Sequence, residues 1–411
     1  MINKNYVVPM GEINKNSFYE LEITRGEGSY LIGTDGKKYL DLRSGLWNVS
    51  LGYNSELNNR ILTVFQDLIG KQLPYLDLSS YIHPLYQIYS EQLLDFINNG
   101  QSERYSKVFY TNSGSEGTEL VTKLVRHICG PNKRIVTFDR SYHGTFYAGI
   151  SANGIEQDIT APYAPKVDGF VHIKTPENED EEIQLLQHIE NHHQSIGALL
   201  FEPVIGSGGV HVFRQSFMQE LKNILDKYNI LLIFDEVATG FFRVGQRFAF
   251  HELKIVPDLI ILSKSINNGT TPMGAVVMKE SLCQWFEEKK IYIEHFSTQN
   301  GNLLGIASAM ETLKFYKEKE EMLLTNVKEI EKIIRDSITT HTKVNGKGAM
   351  FSIPINDRLQ TMRIAEELKK LGILTYLYIN SERDNGLTLF PPLLIESSIL
   401  KRAMKMVVRR V

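Results

Sequence analysis

The sequence predicts an α/β protein built on a largely parallel sheet, with its ligand at the carboxyl edge of the strands. Short apolar runs recur at roughly residues 108, 135, 198, 231, 259 and 274, with helical patterns between several of them. Two of these runs, Leu231 to Phe234 and Leu259 to Leu262, stop abruptly in Asp235-Glu236 and in Ser263-Lys264. Buried parallel strands deliver polar side chains to their carboxyl ends in this way. With 411 residues, 42% hydrophobic and 23% charged, the chain has the composition of an ordinary globular protein and room for two or three domains.

Bulk properties narrow the function classes. A net charge of −3 gives no reason to expect a nucleic acid or an anionic membrane as partner. Two cysteines, Cys129 and Cys283, are too few for a disulfide framework or a thiolate metal site. No metal is expected, and a reduced, cytoplasmic setting fits best. The opening MINKNYVVPMGEINKN has no long apolar run, so neither a signal peptide nor a membrane span is expected.

Residues 20 to 53 alternate apolar and polar positions around glycine-rich turns, with Thr34-Asp35-Gly36-Lys37 as a hairpin turn. The stretch Ser44-Gly45-Leu46-Trp47-Asn48-Val49 follows, in which Trp47 is either core filling or a pocket wall. Helical spacing runs over 55 to 70 and 84 to 99, with Pro74 and Pro84 breaking the pattern between them. An apolar strand from Val108 then runs into Ser113-Gly114-Ser115-Glu116 and a helix whose apolar positions Leu120, Leu124 and Ile128 recur every four residues. That turn offers free N–H groups and the positive end of a helix dipole to a phosphate, although Ser-Gly-Ser also serves as a plain helix cap. It lacks the G-x-G-x-x-G spacing of a dinucleotide site.

A strand from Ile135 to Phe138 leads to Arg140-Ser141-Tyr142-His143-Gly144. A lone histidine after a strand is more often structural, and no proton-transfer role is expected of His143. The strand Ile196 to Phe201 closes in Glu202-Pro203 and a glycine-rich loop, where Glu202 is either a loop carboxylate held by N–H groups or a group that faces a ligand. At the ends of the next two strands, Lys264 followed by the flexible Gly269 and Gly274 could form a Schiff base. Asp235 could there hold a protonated pyridine nitrogen. A helix from about Leu304 to Lys319 and a mixture of charged helices and short strands such as Met350 to Ile355 complete the chain.

The stretches DEVATGFFRVG and SKSINNGTTPMG resemble the signature of the class III aminotransferases, pyridoxal-phosphate enzymes of fold type I. The NSGSEG and YHG segments, and EHFSTQNGN beginning at Glu294, agree with that family in order and spacing, and the resemblance spans about residues 20 to 400. It implies a large domain over 56 to 304, with a mostly parallel central sheet. A smaller α+β domain would be assembled from 1 to 55 and 305 to 411. Pyridoxal 5′-phosphate is the implied cofactor, with Lys264 as the Schiff-base lysine and Asp235 as the partner of the pyridine nitrogen, the two catalytic residues. Gly114, Ser115, Tyr142 and Val237 would join them in holding the cofactor, Tyr142 by stacking on its ring. Thr298 would bind the phosphate of a neighbouring subunit, so the active sites of a homodimer would be shared, although Leu303 stands where proline is usual. Gly117 replaces the family's alanine, a change expected to be neutral for binding.

The same resemblance implies Trp47, Glu202 and Arg383 as substrate-binding residues, with Leu73-Pro74-Tyr75-Leu76 a weaker candidate. Family members that fix an α-carboxylate often carry an arginine three residues before the Pro-Pro pair, and this chain has Thr388 there. The missing guanidinium removes a bidentate clamp. An amine or ω-amino donor and a keto or aldehyde acceptor are therefore expected in a ping-pong exchange, with Arg383 resembling the mobile arginine of amine-type members. A mutase or epimerase of the same family, and a non-catalytic phosphate- or nucleotide-binding protein, are the alternatives. A specialised biosynthetic role, even on a carbonyl attached to a peptide, stays open.

Overall fold

The computed structural model describes residues 5–10, 21–100, 104–338 and 343–411. Its centre is a seven-stranded sheet in the order Tyr105–Thr111, Gly274–Lys279, Leu259–Leu262, Leu231–Asp235, Ile196–Phe201, Arg134–Phe138 and Phe170–Ile173. The strands from Leu259 to Phe170 pair in parallel, and Gly274–Lys279 runs antiparallel to both neighbours. That reversal has a simple cause. The chain returns from Leu262 to Gly274 without a crossover helix, and so short a connection reaches only an antiparallel neighbour. The edge strand Phe170–Ile173 was not expected from sequence, because it is short and its residues are partly exposed.

The apolar runs are continuous because both sheet faces are covered. Leu232, Phe234, Ile260 and Leu262 pack into one hydrophobic cluster, while Leu231, Ile233, Leu259 and Ile261 pack into another. The second cluster includes Leu120 and Leu124 of helix Gly114–Cys129, as their spacing predicts, and Ile128 packs against it. Gly117 of this helix lies directly on the sheet: a Cβ there would stand 2.6 Å from Ile261 Cγ2. Its glycine therefore sets how closely helix and sheet approach.

Two smaller sheets interleave the chain's ends. Strands Ile23–Glu27, Tyr30–Gly33 and Lys38–Asp41 form antiparallel pairs and accept the late strand Ile373–Leu374 in parallel. The expected hairpin turn at Thr34 to Lys37 joins Tyr30–Gly33 to Lys38–Asp41, with Gly36 at φ +77°. Residue 20, where the β-rich stretch was expected to begin, lies outside the described residues, as do residues 1–4 and 11–19. Strands Asn345–Lys347, Met350–Pro354, Asn385–Leu389 and Tyr376–Ile379 make the other sheet, antiparallel throughout. Helices occur at Ser55–Gly70, Pro84–Asn98 and Leu303–Glu318, within a residue of their predicted bounds. Among the described residues no helix is long and apolar enough to cross a membrane.

Candidate active site

The carboxyl edge of the central sheet opens into a cavity of about 510 Å³ lined by Ser113, Gly114, Ser115, Tyr142, Asp235, Val237 and Lys264, among others. Strand register explains the meeting. Asp235 pairs with Ile261 on the adjacent parallel strand, and the Glu236 N–H donates to the Ile261 carbonyl at 3.0 Å. Lys264, three residues past Ile261, therefore leaves the sheet beside Asp235.

Strand alternation also separates the two neighbouring acids. Asp235 lines the cavity. Glu236 is buried elsewhere, accepting from the Thr239 hydroxyl at 2.5 Å and the Phe250 N–H at 3.1 Å, and burial pushes its carboxyl up to about 7.

Asp235 is held from two directions. Its Oδ1 accepts from the Val237 N–H at 3.1 Å, and its Oδ2 lies 2.9 Å from Nδ1 of the buried His143. A carboxylate there places the imidazole proton on Nδ1. His143 is itself fixed by its backbone, whose N–H donates to Asn153 at 2.5 Å and whose carbonyl accepts from Thr118 at 2.9 Å. So the histidine given no role in proton transfer is the group that orients Asp235.

Lys264 opens a short 3-10 turn and holds a left-handed φ of 44°. A lysine in this conformation is strained and is kept there by its surroundings. Burial lowers the pKa of its ammonium, Asp235 and Glu202 pull it back up, and the buried guanidinium of Arg243 adds to the lowering. Arg243 is fully buried, and its donated bonds go to the carbonyls of Ala349 (3.1 Å) and Pro391 (2.7 Å) and to Ser50 Oγ (2.9 Å). Ser50 in turn lies 2.5 Å from Ser265 Oγ, next to the lysine.

The turn at Ser113 joins the strand Tyr105–Thr111 to a 16-residue helix, capped by a bond from the Glu116 N–H to Ser113 Oγ at 3.2 Å. First-turn N–H groups of a helix have no intrahelical acceptor and attract anions. Gly144 closes over this cradle: its φ is +101°, and a Cβ there would stand 2.2 Å from Ser115 Oγ. A phosphate-bearing aromatic group fits this donor set, with the cradle for the anion, Tyr142 and Val237 for the ring, and Asp235 for a ring cation.

Glu202 also lines the cavity, and its carboxylate is held by backbone N–H groups. Its Oε1 accepts from the Tyr142 N–H and its Oε2 from the Gly206 N–H, each at 3.1 Å, while burial raises its pKa. Trp47 is both core and wall. It stacks on Phe390 with centroids 4.2 Å apart and meets Tyr376 edge-on at 5.4 Å, and Lys264 Nζ lies 4.4 Å from its ring centroid. The turn Ser44–Trp47 that delivers it has φ values of 45°, 56°, 65° and 66°.

Other expected site residues lie elsewhere. Arg383 is exposed and lines a separate polar groove with Arg140, His211 and Tyr378. Its loop is tied there, because the Asn380 side chain donates to the Gly208 carbonyl at 2.7 Å and Arg140 pairs with Asp384 at 3.3 Å. Thr298 is exposed and does not line the Lys264 cavity of its own chain, nor do Leu73 to Leu76. Sequence reasoning missed Arg43, Glu156 and Tyr376, which line the cavity from loops and a small-sheet strand that carry no motif. Among the described residues no cluster of side chains is arranged to hold a metal ion.

Comparison with known proteins agrees with this geometry. The family described as "Aminotransferase class-III" matches residues 12–411. An acetylornithine aminotransferase of Lactococcus lactis is 31% identical over 392 residues, 93% of this chain and 95% of that protein. Gamma aminobutyrate transaminase 2 of Solanum lycopersicum is 32% identical over 73% of this chain and 69% of its own. Among solved structures, the omega transaminase of Pseudomonas jessenii in complex with PMP superposes with a TM-score of 0.80 at 26% identity, covering 95% of this chain and 91% of that one. A new transaminase from the marine bacterium Virgibacillus shares the fold at a TM-score of 0.87 and 24% identity, over 99% and 96% of the two chains.

Proposed function

We propose, from the premise that this chain belongs to the class III aminotransferases, how its own residues divide the work and which donor it takes. It is a pyridoxal-phosphate-dependent aminotransferase of fold type I. The observation that carries our assignment of roles is the meeting of Lys264 and Asp235 beside the helix-end cradle in one cavity.

When bound, pyridoxal 5′-phosphate supplies a conjugated, electron-withdrawing ring. Gly114 and Ser115 would hold its phosphate, Tyr142 and Val237 its ring faces, and Asp235, oriented by His143, its protonated ring nitrogen. Lys264 would carry the cofactor covalently between turnovers. Its Nζ, when free, would act as the base that accepts the proton from the substrate carbon and as the acid that gives it back. Desolvation favours the neutral amine needed for both tasks. Trp47 bounds the space above the lysine and excludes water from it, and Glu202 fixes the Tyr142 backbone while facing the substrate.

The donor in this reading is an amine or an ω-amino compound. Thr388 supports it: where a clamp for an α-carboxylate would need a guanidinium, a threonine is fully buried in strand Asn385–Leu389. Arg383 would serve a carboxylate only after its tied loop opened.

A homodimer with shared sites belongs to the same reading. Ile82 is 97% exposed and Tyr292 78%, with Tyr81 and Phe296 also exposed. Their segments adjoin, since a Cβ on Gly301 would stand 2.6 Å from Leu78 Cδ2, and the exposed Thr298 is two residues from Phe296. A second copy covering this surface would bring Thr298 to the partner's cradle. The two terminal stretches, 1–55 and 305–411, would form the smaller domain around 56–304. The two free cysteines are compatible with a cytoplasmic setting.

The test is a half-reaction. Holoenzyme is mixed in turn with a simple amine, an ω-amino acid and an α-amino acid, and the visible cofactor band is followed. Loss of the band with the first two supports the reading, whereas conversion by α-amino acids alone sinks it. Lys264→Ala should abolish the lysine-dependent band. Sedimentation should give twice the chain mass.

A further inference from the structure

We propose that Glu156 receives a second positively charged group of the substrate, so that the preferred donor is a diamine or another amine carrying an ammonium remote from the reacting carbon. The proposal rests on the aminotransferase reading and names a substrate class within it. Outside the residues assigned to cofactor and proton transfer, the cavity is bounded by Met10, Arg43, Leu46, Trp47, Glu156 and Tyr376. Glu202 lines the cavity too, but its two oxygens already accept from the Tyr142 and Gly206 N–H groups, which leaves Glu156 as the carboxylate without such bonds among the described residues.

Several independent features single it out. Its backbone is left-handed, φ 60° and ψ 25°, a conformation a non-glycine residue holds only when its surroundings impose it. Its half-buried carboxylate has no hydrogen-bond donor or ion-pair partner among the described residues, and burial alone pushes its pKa up. A carboxylate taken from water without a partner is costly. Among the described residues nothing repays that cost, but a ligand cation would.

The neighbours suit a cation as well. Burial raises the hydroxyl pKa of both Tyr142 and Tyr376, and in each the Glu156 charge is the next cause, so the two phenols lie within its field. Two aromatic rings beside a carboxylate form a receptor for an ammonium ion. The competing charge is Arg43, whose guanidinium carbon lies 5.9 Å from the Tyr376 centroid. It repels a cation next to itself and favours a carboxylate there. The informative comparison is therefore among donors of equal length that differ only at the far end.

The experiment uses holoenzyme, wild type and the nearly isosteric Glu156→Gln. Each is titrated calorimetrically with butyltrimethylammonium, which has no transferable amino group, and each is reacted with 1,4-diaminobutane, 4-aminobutanoate and butylamine. We expect butyltrimethylammonium to bind the wild type and to bind the variant at least about tenfold more weakly. The ratio of kcat/KM for the diamine over butylamine should fall by a similar factor. Equal binding to both proteins, no binding to the wild type, or an unchanged ratio overturns the proposal. If binding depends on Glu156 while no amine is converted, the cation pocket stands and the amine-donor reading is the one that fails.

Discussion

Asp235 and Trp47 face the same cavity, yet they are held there by opposite means. Asp235 extends a buried parallel strand, its position set by register with Ile261 and its carboxylate fixed by the Val237 N–H and by His143. Trp47 is delivered by a turn whose residues have positive φ, three of them not glycine. Such a conformation costs about 1–2 kcal/mol for each L-residue with a side chain.

The turn persists because other parts of the chain grip it. Asp41 accepts from the N–H groups of Arg43 and Gly45, Ser44 Oγ donates to the Phe390 carbonyl at 2.5 Å, and Phe390 stacks on the indole. The inner end of the site is therefore rigid by secondary structure. The outer end is rigid only while the terminal sheets stay docked.

This contrast predicts where function and stability separate. Asp235→Asn leaves the strand intact but removes the charge at the inner end, and should lower turnover on the order of 10²-fold or more with little change in melting temperature. A large loss of stability in that variant would break the distinction.

Arg243→Met acts on the opposite principle. It strips a donor from Ser50, Ala349 and Pro391, which lie in three separate stretches of the chain, and should lower stability by about 3 kcal/mol in denaturant titration. It should also move a pH limb. Because Arg243 helps to depress Lys264, its loss raises the lysine's pKa, and the rate that needs neutral Nζ should rise at higher pH than in the wild type.

His143→Gln removes the imidazole bond to Asp235 and should cost about 10-fold in turnover, the worth of a hydrogen bond to a charged group. A purely structural histidine would instead lower the melting point and leave the folded enzyme's rate alone. The smallest effect is expected from Ser44→Ala, about 1 kcal/mol in thermal unfolding, from loss of the Phe390 bond. Its donor preference should shift more than its response to Asp235 substitutions, since only the outer end is loosened.

The legibility of the sequence follows the same division. Leu231–Asp235 and Leu259–Leu262 were readable because apolar runs that stop at polar residues are a local pattern, and so were Ser113 to Ser115 at a strand-to-helix junction. The reversed strand Gly274–Lys279 was visible as an element but not in its direction. Gly117 is expected to be neutral for binding, and its separate packing role against Ile261 exists only once helix and sheet are packed. Arg383 is expected at the site only from its resemblance to the mobile arginine of amine-type members, and the ties of Asn380 and Asp384, which hold its loop in another groove, are long-range contacts that a local stretch does not encode.

By itself, then, the sequence determined the central sheet, the acid and lysine at its carboxyl edge, and the family to which those motifs belong. Each depends on periodicity and on residues adjacent in the chain. Tertiary structure alone decided that His143 steadies Asp235, that Arg243 links Ser50 to Ala349 and Pro391, and that Glu156, Tyr376 and Trp47 line one cavity. Those contacts join residues tens to hundreds of positions apart. The packing that brings them together is set by the whole core rather than by any local pattern.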